Sequence, residues 1–174
     1  ILFISFICAQ NEGWDLETVN TSLLNYKVEL FSDGYAIPWG MTQLPNGDLL
    51  VSDISGKIYR VDKIGSNKNL INGIPKVFYR GQGGLLDIEI HPDFEQNKLI
   101  YFSFSDVHDQ LSFTSIASGI LGKKKLDSLK IIYQAPIENY SNSLYHFGSR
   151  ILINNNFIYF TIGDRGKMHD AQDL

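Results

Sequence analysis

The stretch WGMTQLPNGDLLVSDISGKIYRV, residues 39–61, decides the fold. It contains three short, mainly apolar segments, Trp39–Leu44, Asp48–Asp53 and Lys57–Val61. Two turn sequences separate them, Pro45-Asn46-Gly47 and Ser55-Gly56. Turns of this composition between short apolar segments are typical of β-hairpins. The stretch therefore predicts three antiparallel strands joined by tight turns.

The same pattern occurs twice more along the chain, as a glycine, an apolar strand, a polar turn and a second strand. The two further copies are Gly84–His91 with Leu99–Ser105 and Gly148–Ile153 with Phe157–Ile162. The first glycines of the three copies, Gly40, Gly84 and Gly148, are 84 − 40 = 44 and 148 − 84 = 64 residues apart. One unit is therefore regular, and the other carries an insertion.

A repeat of roughly 40–50 residues built from short antiparallel strands is typical of a β-propeller, whose blades pack side by side around an axis. We predict an all-β fold in which residues 28–174 form a partial β-propeller domain of about three blades. Little helix is expected, because Gly, Asn and Asp interrupt the chain every few residues. A β-sandwich is the structural alternative. Because a closed ring needs about four to eight blades, we expect the chain to be a piece of a larger protein.

Residues 1–9 are predicted to be the remnant of a secretory signal peptide. Ile1–Ile7 is almost wholly apolar, and Cys8-Ala9 follows it in the place of a cleavage site. A lipoprotein cysteine at Cys8 and a buried N-terminal strand are the alternatives. Residues 10–27 would then lead into the propeller. The prediction is a periplasmic or secreted protein without a disulfide, since Cys8 is the only cysteine.

The composition excludes some partners. The net charge is −4 with a pI near 5.5, whereas nucleic acids and anionic membranes favour a basic surface. After residue 9 no stretch approaches the roughly 20 consecutive apolar residues of a membrane helix, so no membrane span is predicted. Zinc-ligand spacing, a phosphate-binding loop, a nucleophile elbow and a dinucleotide fingerprint are absent from the sequence. This argues against nucleotide-dependent chemistry and serine-type hydrolysis.

An imidazole and a carboxylate are predicted to meet at one end of the third copy. His146 precedes its first strand, and Asp164 follows its second strand. Because a hairpin brings these two ends together, the carboxylate can hold one ring nitrogen and leave the other free as a base. Alternatively, His146 is a structural histidine, Asp164 caps its own turn, and Arg165 pairs locally with Asp170 or Asp173.

A second candidate site is the turn Arg80-Gly81-Gln82-Gly83-Gly84, which precedes the second copy. Its glycines would let the backbone approach a ligand closely, with Gln82 as the polar contact. The alternative is a tight turn that only tolerates positive φ angles. His91-Pro92-Asp93-Phe94 is predicted to be a structural turn, with Phe94 inserted between blades.

Seven motifs carry a resemblance to a known family, and they occur in the family's order. The motifs are Pro38-Trp39-Gly40-Met41, Leu44-Pro45-Asn46-Gly47-Asp48-Leu49-Leu50-Val51, Arg80-Gly81-Gln82-Gly83-Gly84-Leu85-Leu86-Asp87, His91-Pro92-Asp93-Phe94, His146-Phe147-Gly148-Ser149-Arg150, Gly163-Asp164-Arg165-Gly166 and Ala171-Gln172-Asp173-Leu174. As an ordered set they resemble the soluble PQQ-dependent glucose/aldose sugar dehydrogenases. The resemblance runs from about Val28 to the last residue and corresponds to the first half of the family's domain.

This resemblance implies a six-bladed propeller that binds pyrroloquinoline quinone (PQQ) and calcium near its axis. It further implies that His146 is the general base, that Asp164 supports it, and that Gln82 contacts the sugar. Histidine suits this role because it can accept a proton near neutral pH. Tyr145, where the family commonly has Asn or Asp, is assigned to the substrate site. The family's quinone-binding basic residues and calcium ligands belong to later blades, so none is assigned to residues 1–174.

The leading hypothesis is therefore a quinoprotein that oxidises the anomeric hydroxyl of an aldose to a lactone and passes electrons to an external acceptor. Residues 1–174 alone are expected to be inactive. A non-catalytic extracellular propeller that binds a partner is the first alternative. A calcium-dependent, lactonase-like hydrolase is the second.

Overall fold

The computed structural model of the chain describes the backbone of residues 18–20 and 25–169 and the side chains of residues 28–169. The predicted signal-peptide remnant, residues 1–9, lies outside the described residues, as do the start of the lead-in and the motif at residues 171–174. Among the residues that are described, no helix has the length and apolar character needed to cross a membrane.

The described chain consists of short strands and two single helical turns. The strands are β1 (Thr18–Asn20), β2 (Asn25–Lys27), β3 (Pro38–Gln43), β4 (Leu49–Asp53), β5 (Lys57–Val61), β6 (Lys68–Ile71), β7 (Leu85–Ile90), β8 (Leu99–His108), β9 (Leu111–Leu121), β10 (Leu126–Tyr133), β11 (Gly148–Asn154) and β12 (Phe157–Ile162). The helical turns are α1 (Phe94–Asn97) and a 3-10 turn at Ile137–Asn139. The prediction of an all-β chain with almost no helix is confirmed.

Two of the sheets are four-stranded antiparallel meanders, with strand orders β3-β4-β5-β6 and β7-β8-β9-β10. Strands β11 and β12 pair as a third sheet, and β1 and β2 pair separately. The first strands of successive sheets lie side by side, β3 beside β7 and β7 beside β11. This is the arrangement of propeller blades around an axis. The described residues thus form two whole blades and the first two strands of a third, which confirms the predicted partial β-propeller.

One hydroxyl residue in the second strand of each blade holds the backbone of that blade's first strand. The three hydrogen bonds run from Gly40 N to Ser52 Oγ (3.0 Å), from Asp87 N to Ser103 Oγ (2.9 Å) and from Arg150 N to Thr161 Oγ1 (3.1 Å). The structurally equivalent positions are therefore 40, 87 and 150, at intervals of 87 − 40 = 47 and 150 − 87 = 63 residues. The predicted glycine alignment is corrected by a few residues, because Gly84 and Gly148 mark strand starts whereas Gly40 lies inside β3.

Two of these hydroxyl groups also join neighbouring blades. Ser52 Oγ donates to the carbonyl of Leu86 in the second blade. Ser103 Oγ donates to the carbonyl of Ser149 in the third blade at 2.8 Å. Both serines are fully buried, and hydrogen bonds on both sides satisfy their hydroxyl groups. The first strands are therefore fixed relative to each other, and the loops of the candidate site lead directly into β7 and β11.

The main hydrophobic core lies between the first and second blades. Leu44 and Leu50 of the first blade share one buried cluster with Ile88 and Ile100 of the second. Phe94 from α1 belongs to the same cluster, as predicted for a side chain inserted between blades. Burying each such side chain contributes about 1.5–3 kcal/mol to the free energy of folding.

Candidate functional site

Three segments meet at one end of the second and third blades. They are the turn before β7, which carries Gln82, the loop before β11, which carries Tyr145 and His146, and the residues after β12, which include Asp164. Strands β11 and β12 form an antiparallel hairpin in which Gly148 pairs with Ile162. The end of β12 therefore lies beside the start of β11. This pairing brings Asp164 next to His146.

The imidazole of His146 lies in hydrogen-bond contact with the carboxylate of Asp164. The distance from Nδ1 to Oδ1 is 2.7 Å, and the His146 side chain is 54% exposed against 19% for Asp164. A carboxylate accepts a hydrogen bond from an N–H group, so the neutral ring carries its proton on Nδ1 and its lone pair on Nε2. The geometry thus provides an accessible proton acceptor held in one orientation.

Asp164 also closes its own turn. Its Oδ1 accepts the backbone N–H of Gly166 at 2.9 Å, in addition to the bond with His146. The two interpretations of this motif therefore both apply, since one carboxylate caps the turn and supports the imidazole. The hydrogen bond from Gly166, followed by that from His146, holds the pKa of Asp164 below its ordinary value.

The lowered pKa of Asp164 predicts a pH-dependent contribution to stability. A carboxylate whose pKa is lower in the folded protein stabilises the fold above its unfolded value, about 3.9, and loses that contribution as the pH falls through the folded pKa. Asp164→Asn should therefore lower the melting temperature at pH 7 and have progressively less effect below about pH 4. Thermal unfolding at pH 7, 5 and 3 measures this. The solvent-exposed Asp109, changed to Asn, is the control, and an Asp164→Asn effect that grows towards pH 3 would contradict the prediction.

Gln82 contacts the backbone of the loop that carries His146. Its side-chain Oε1 accepts the N–H of His146 at 2.9 Å, and its own backbone N–H donates to the carbonyl of Leu144 at 2.8 Å. The turn is closed by a bond from Gly83 N to Arg80 O at 2.9 Å, so the tight-turn interpretation also applies. Within residues 28–169 the Nε2 amide group of the exposed Gln82 makes no hydrogen bond. The side chain that binds the His146 backbone therefore also carries a hydrogen-bond donor.

Tyr145 precedes His146 and is 57% exposed. Its ring lies at the surface, while its carbonyl accepts a hydrogen bond from Arg165 Nη1 at 2.9 Å. The backbone of Tyr145 is therefore fixed and its side chain is accessible. An accessible aromatic ring next to an exposed histidine is suited to packing against the apolar face of a ligand.

Asp87 is a site residue that its sequence motif alone did not reveal. Its buried carboxylate accepts the backbone N–H of Ile151 at 2.7 Å and Nη1 of Arg150 at 3.0 Å, and so fixes β11 just beyond His146. An acidic residue inside the apolar run LLDIEI was the available signal. An open cavity of about 590 Å³ continues from this point, between Pro38 and Trp39 of the first blade and the start of β11.

The described residues do not form a complete binding site for PQQ or for calcium, the two groups that the resemblance implies. A carboxylate-bearing quinone requires cations, but Arg150 is bonded to Asp87, and Arg165 is buried against main-chain carbonyls. No group of three or more His, Cys, Asp or Glu side chains within residues 28–169 is arranged to hold a metal ion. What these residues do offer is the accessible imidazole and the amide donor of Gln82.

The fold and the site together define a class of protein. It is an all-β propeller with an imidazole, hydrogen-bonded to a carboxylate, in the loops at one end of its blades. Comparison with known proteins then identifies the family. The family model described as Glucose / Sorbosone dehydrogenase matches residues 35–174, so the chain belongs to the glucose/sorbosone dehydrogenase family. The resemblance seen in the sequence is thereby confirmed.

Three matches, one to a sequence and two to solved structures, illustrate this similarity. An aldose sugar dehydrogenase of Escherichia coli is 29% identical over 98% of this chain and 45% of its own length. The crystal structure of the soluble aldose sugar dehydrogenase from Escherichia coli in its apo form superposes with a TM-score of 0.77 and 28% identity, over 84% of this chain and 43% of that one. The PQQ-bound aldose sugar dehydrogenase from Streptomyces coelicolor gives a TM-score of 0.71 and 26% identity, over 91% and 45% respectively. The chain thus spans less than half the length of these relatives.

Proposed function

We propose that this chain is part of a quinoprotein that oxidises the anomeric hydroxyl of an aldose to a lactone. The observation that carries the proposal is the exposed imidazole of His146, with Nδ1 held 2.7 Å from the Asp164 carboxylate. Membership of a sugar dehydrogenase family supports the substrate class, and the PQQ-bound relative supports the cofactor. PQQ, when bound, supplies the acceptor for the hydride that leaves the anomeric carbon.

His146 takes the proton in this reaction. As the C1 hydroxyl of the sugar becomes the lactone carbonyl, its proton would pass to Nε2 while the C1 hydride would pass to the quinone. The ring then carries a positive charge, which the Asp164 carboxylate stabilises through Nδ1. The lowered pKa of Asp164 keeps this carboxylate ionised near neutral pH. Proton acceptor and counter-charge thus come from one hairpin.

Gln82 and Tyr145 are proposed to contact the sugar. The Nε2 amide group of Gln82 is a donor for a sugar hydroxyl, while its Oε1 is occupied by the His146 backbone. The exposed ring of Tyr145 offers the flat apolar surface that suits a pyranose face. These contacts would orient the anomeric carbon beside the imidazole.

The proposed function is accompanied by a proposed cellular location, an electron acceptor and a metal. We propose that residues 1–9 direct export, that residues 10–27 lead into the propeller, and that residues 28–174 are its first part. The protein would then act in the periplasm or outside the cell and pass electrons to an external acceptor. Calcium is proposed as the accompanying metal, with ligands outside residues 28–169.

Reconstitution of the full-length protein tests the proposed function. Aldose-dependent reduction of a dye should rise at least about a hundredfold when both PQQ and calcium are added to the apo protein. Residues 1–174 alone serve as the control and should remain inactive under the same conditions. Tight quinone binding without aldose oxidation would contradict the substrate class. Failure to bind quinone at all would contradict the enzyme and favour the non-catalytic binding propeller.

A further inference from the structure

Arg165 is a buried cation that has no carboxylate partner within residues 28–169. Its side chain is only 5% exposed, and its guanidinium donates to the carbonyls of Ser143 and Tyr145 and to Ser112 Oγ. The bond to Tyr145 measures 2.9 Å and the bond to Ser112 measures 3.1 Å. Burying an arginine has a high desolvation cost. A buried guanidinium that donates to neutral carbonyls therefore indicates a specific structural role.

The groups that Arg165 contacts all belong to, or anchor, the loop before β11. The guanidinium carbon lies 3.4 Å from the ring centroid of Phe147, and the backbone N–H of Arg165 donates to the carbonyl of His146 at 3.3 Å. With Ser143 and Tyr145, four of the five residues 143–147 contact this one arginine. The flat guanidinium suits this arrangement, because it can stack on an aromatic ring and donate in its plane at the same time.

His146 needs such support because its backbone adopts an uncommon conformation. Its φ angle is +55°, in the left-handed region, where residues other than glycine are strained by about 1–3 kcal/mol. Such conformations persist where the surroundings fix them. Gln82 holds the His146 N–H from one side, and Arg165 holds the flanking carbonyls from the other.

Arg165 also connects the loop to the second blade. Ser112, at the start of β9, accepts a hydrogen bond from Nη2 and exchanges two backbone hydrogen bonds with Ser141. One guanidinium therefore links β9, the His146 loop and the segment after β12. Asp164, which directly precedes Arg165, binds the imidazole itself. The orientation of the ring and the path of its loop thus depend on two consecutive residues.

We propose that Arg165 is a positioning residue that fixes the orientation of the His146 imidazole through the carbonyls of Ser143 and Tyr145 and the ring of Phe147. The inference rests on the proposed function of His146 as the base. Burial lowers the pKa of Arg165 to about 10, so the guanidinium remains protonated and able to donate at neutral pH.

Arg165→Lys in the full-length, reconstituted protein tests this role. Lysine keeps the charge but loses the planar set of donors and the stacking face. We expect kcat for aldose oxidation to fall about 10- to 100-fold while KM changes less than threefold, because the sugar contacts are left in place. The matched control is Arg60→Lys, which alters a half-buried arginine bonded to Asp48 at 2.8 Å in the first blade and should leave kcat unchanged.

A readout independent of activity separates this inference from the proposed function. In the wild type, the Nδ1 proton of His146 should give a protected, hydrogen-bonded signal in histidine-selective NMR. Arg165→Lys should weaken or abolish this signal, and Arg60→Lys should not. A wild type without aldose oxidation would contradict the proposed function, while this signal would still report on positioning. An unchanged signal in Arg165→Lys would overturn the positioning role.

Ser112→Ala covers the case in which Arg165→Lys does not fold. It removes one acceptor of the guanidinium and leaves the charge, the stack and the two carbonyl contacts in place. We expect kcat to fall two- to fivefold and the Nδ1 signal of His146 to broaden. A Ser112→Ala protein with wild-type kcat and an unchanged signal, together with an Arg165→Lys protein that does not fold, would assign Arg165 to stability alone and overturn the proposal.

Discussion

Replacing His146 by glutamine in the full-length, reconstituted protein should lower kcat for aldose oxidation by about two to four orders of magnitude. The substitution removes the only group at this position that can accept the hydroxyl proton, and a positioned general base is typically worth about 10²–10⁴ in rate. Glutamine can still donate to Asp164, so the loop should keep its conformation and quinone binding should be retained. Steady-state kinetics with a dye acceptor, together with a quinone titration, measures both quantities.

The chain offers a matched control in His108. Its Nε2 lies 3.3 Å from a carboxylate oxygen of Asp109, and its side chain is 50% exposed, so it resembles His146 in exposure and partner. It lies at the end of β8, outside the candidate site. His108→Gln should therefore leave kcat within about twofold of the wild type. Equal rates for His146→Gln and the wild type would exclude His146 as the base.

Strands with clear turns on both sides could be predicted from the sequence. The predicted bounds of β5 (Lys57–Val61) and β12 (Phe157–Ile162) coincide with those of the structure. In both cases a Gly- or Asn-containing turn precedes a run of alternating or continuous apolar residues. Local sequence decides such strands, because the turn fixes the register and one face is buried against a neighbouring sheet.

Strand β9 shows why other elements were missed. Small polar residues fill its interior, including Ser112 and Thr114, so the strand lacks the apolar alternation that marks a half-buried strand. These hydroxyl groups make hydrogen bonds to residues distant in sequence. Ser112 accepts one from Arg165, and Thr114 donates one to the carbonyl of Phe147. Those partners are more than 30 residues away. A local pattern cannot reveal them.

The candidate site also has one part that could be predicted from the sequence and one part that could not. The contact between His146 and Asp164 could be predicted. An antiparallel hairpin brings the residues before its first strand close to the residues after its second strand. The contacts of Arg165 could not be predicted, because its partners are mainly backbone carbonyls, which every residue possesses. Asp170 and Asp173, its possible local partners in the sequence, lie outside the described residues. Among the described residues, the guanidinium donates to Ser112, Ser143 and Tyr145.

Gly84 lies between the Gln82 turn and β7, where the second blade packs closely against Ile54 of the first blade. A Cβ atom built on it would lie 2.0 Å from the carbonyl oxygen of Ile54, which is backbone and cannot rotate away. The residue is also held by Leu85 N donating to Ile54 O at 3.1 Å and by Ser105 N donating to Gly84 O at 2.8 Å. Its φ angle of +156° adds to the demand for glycine.

Gly84→Ala should therefore lower the free energy of unfolding by about 3 kcal/mol or more, since either the two blades separate or the hydrogen bonds around Ile54 and Ser105 break. Urea unfolding of the full-length protein measures this. Gly47→Ala separates severe steric overlap from backbone strain, because Gly47 has a φ of +91° but its added Cβ would approach only Cβ and Cδ of Lys63, at 3.3 and 3.8 Å. That control should cost about 1 kcal/mol. Equal losses for the two variants would mean that Ile54 and Gly84 are not in close contact, and the blade arrangement that delivers Gln82 to His146 would have to be revised.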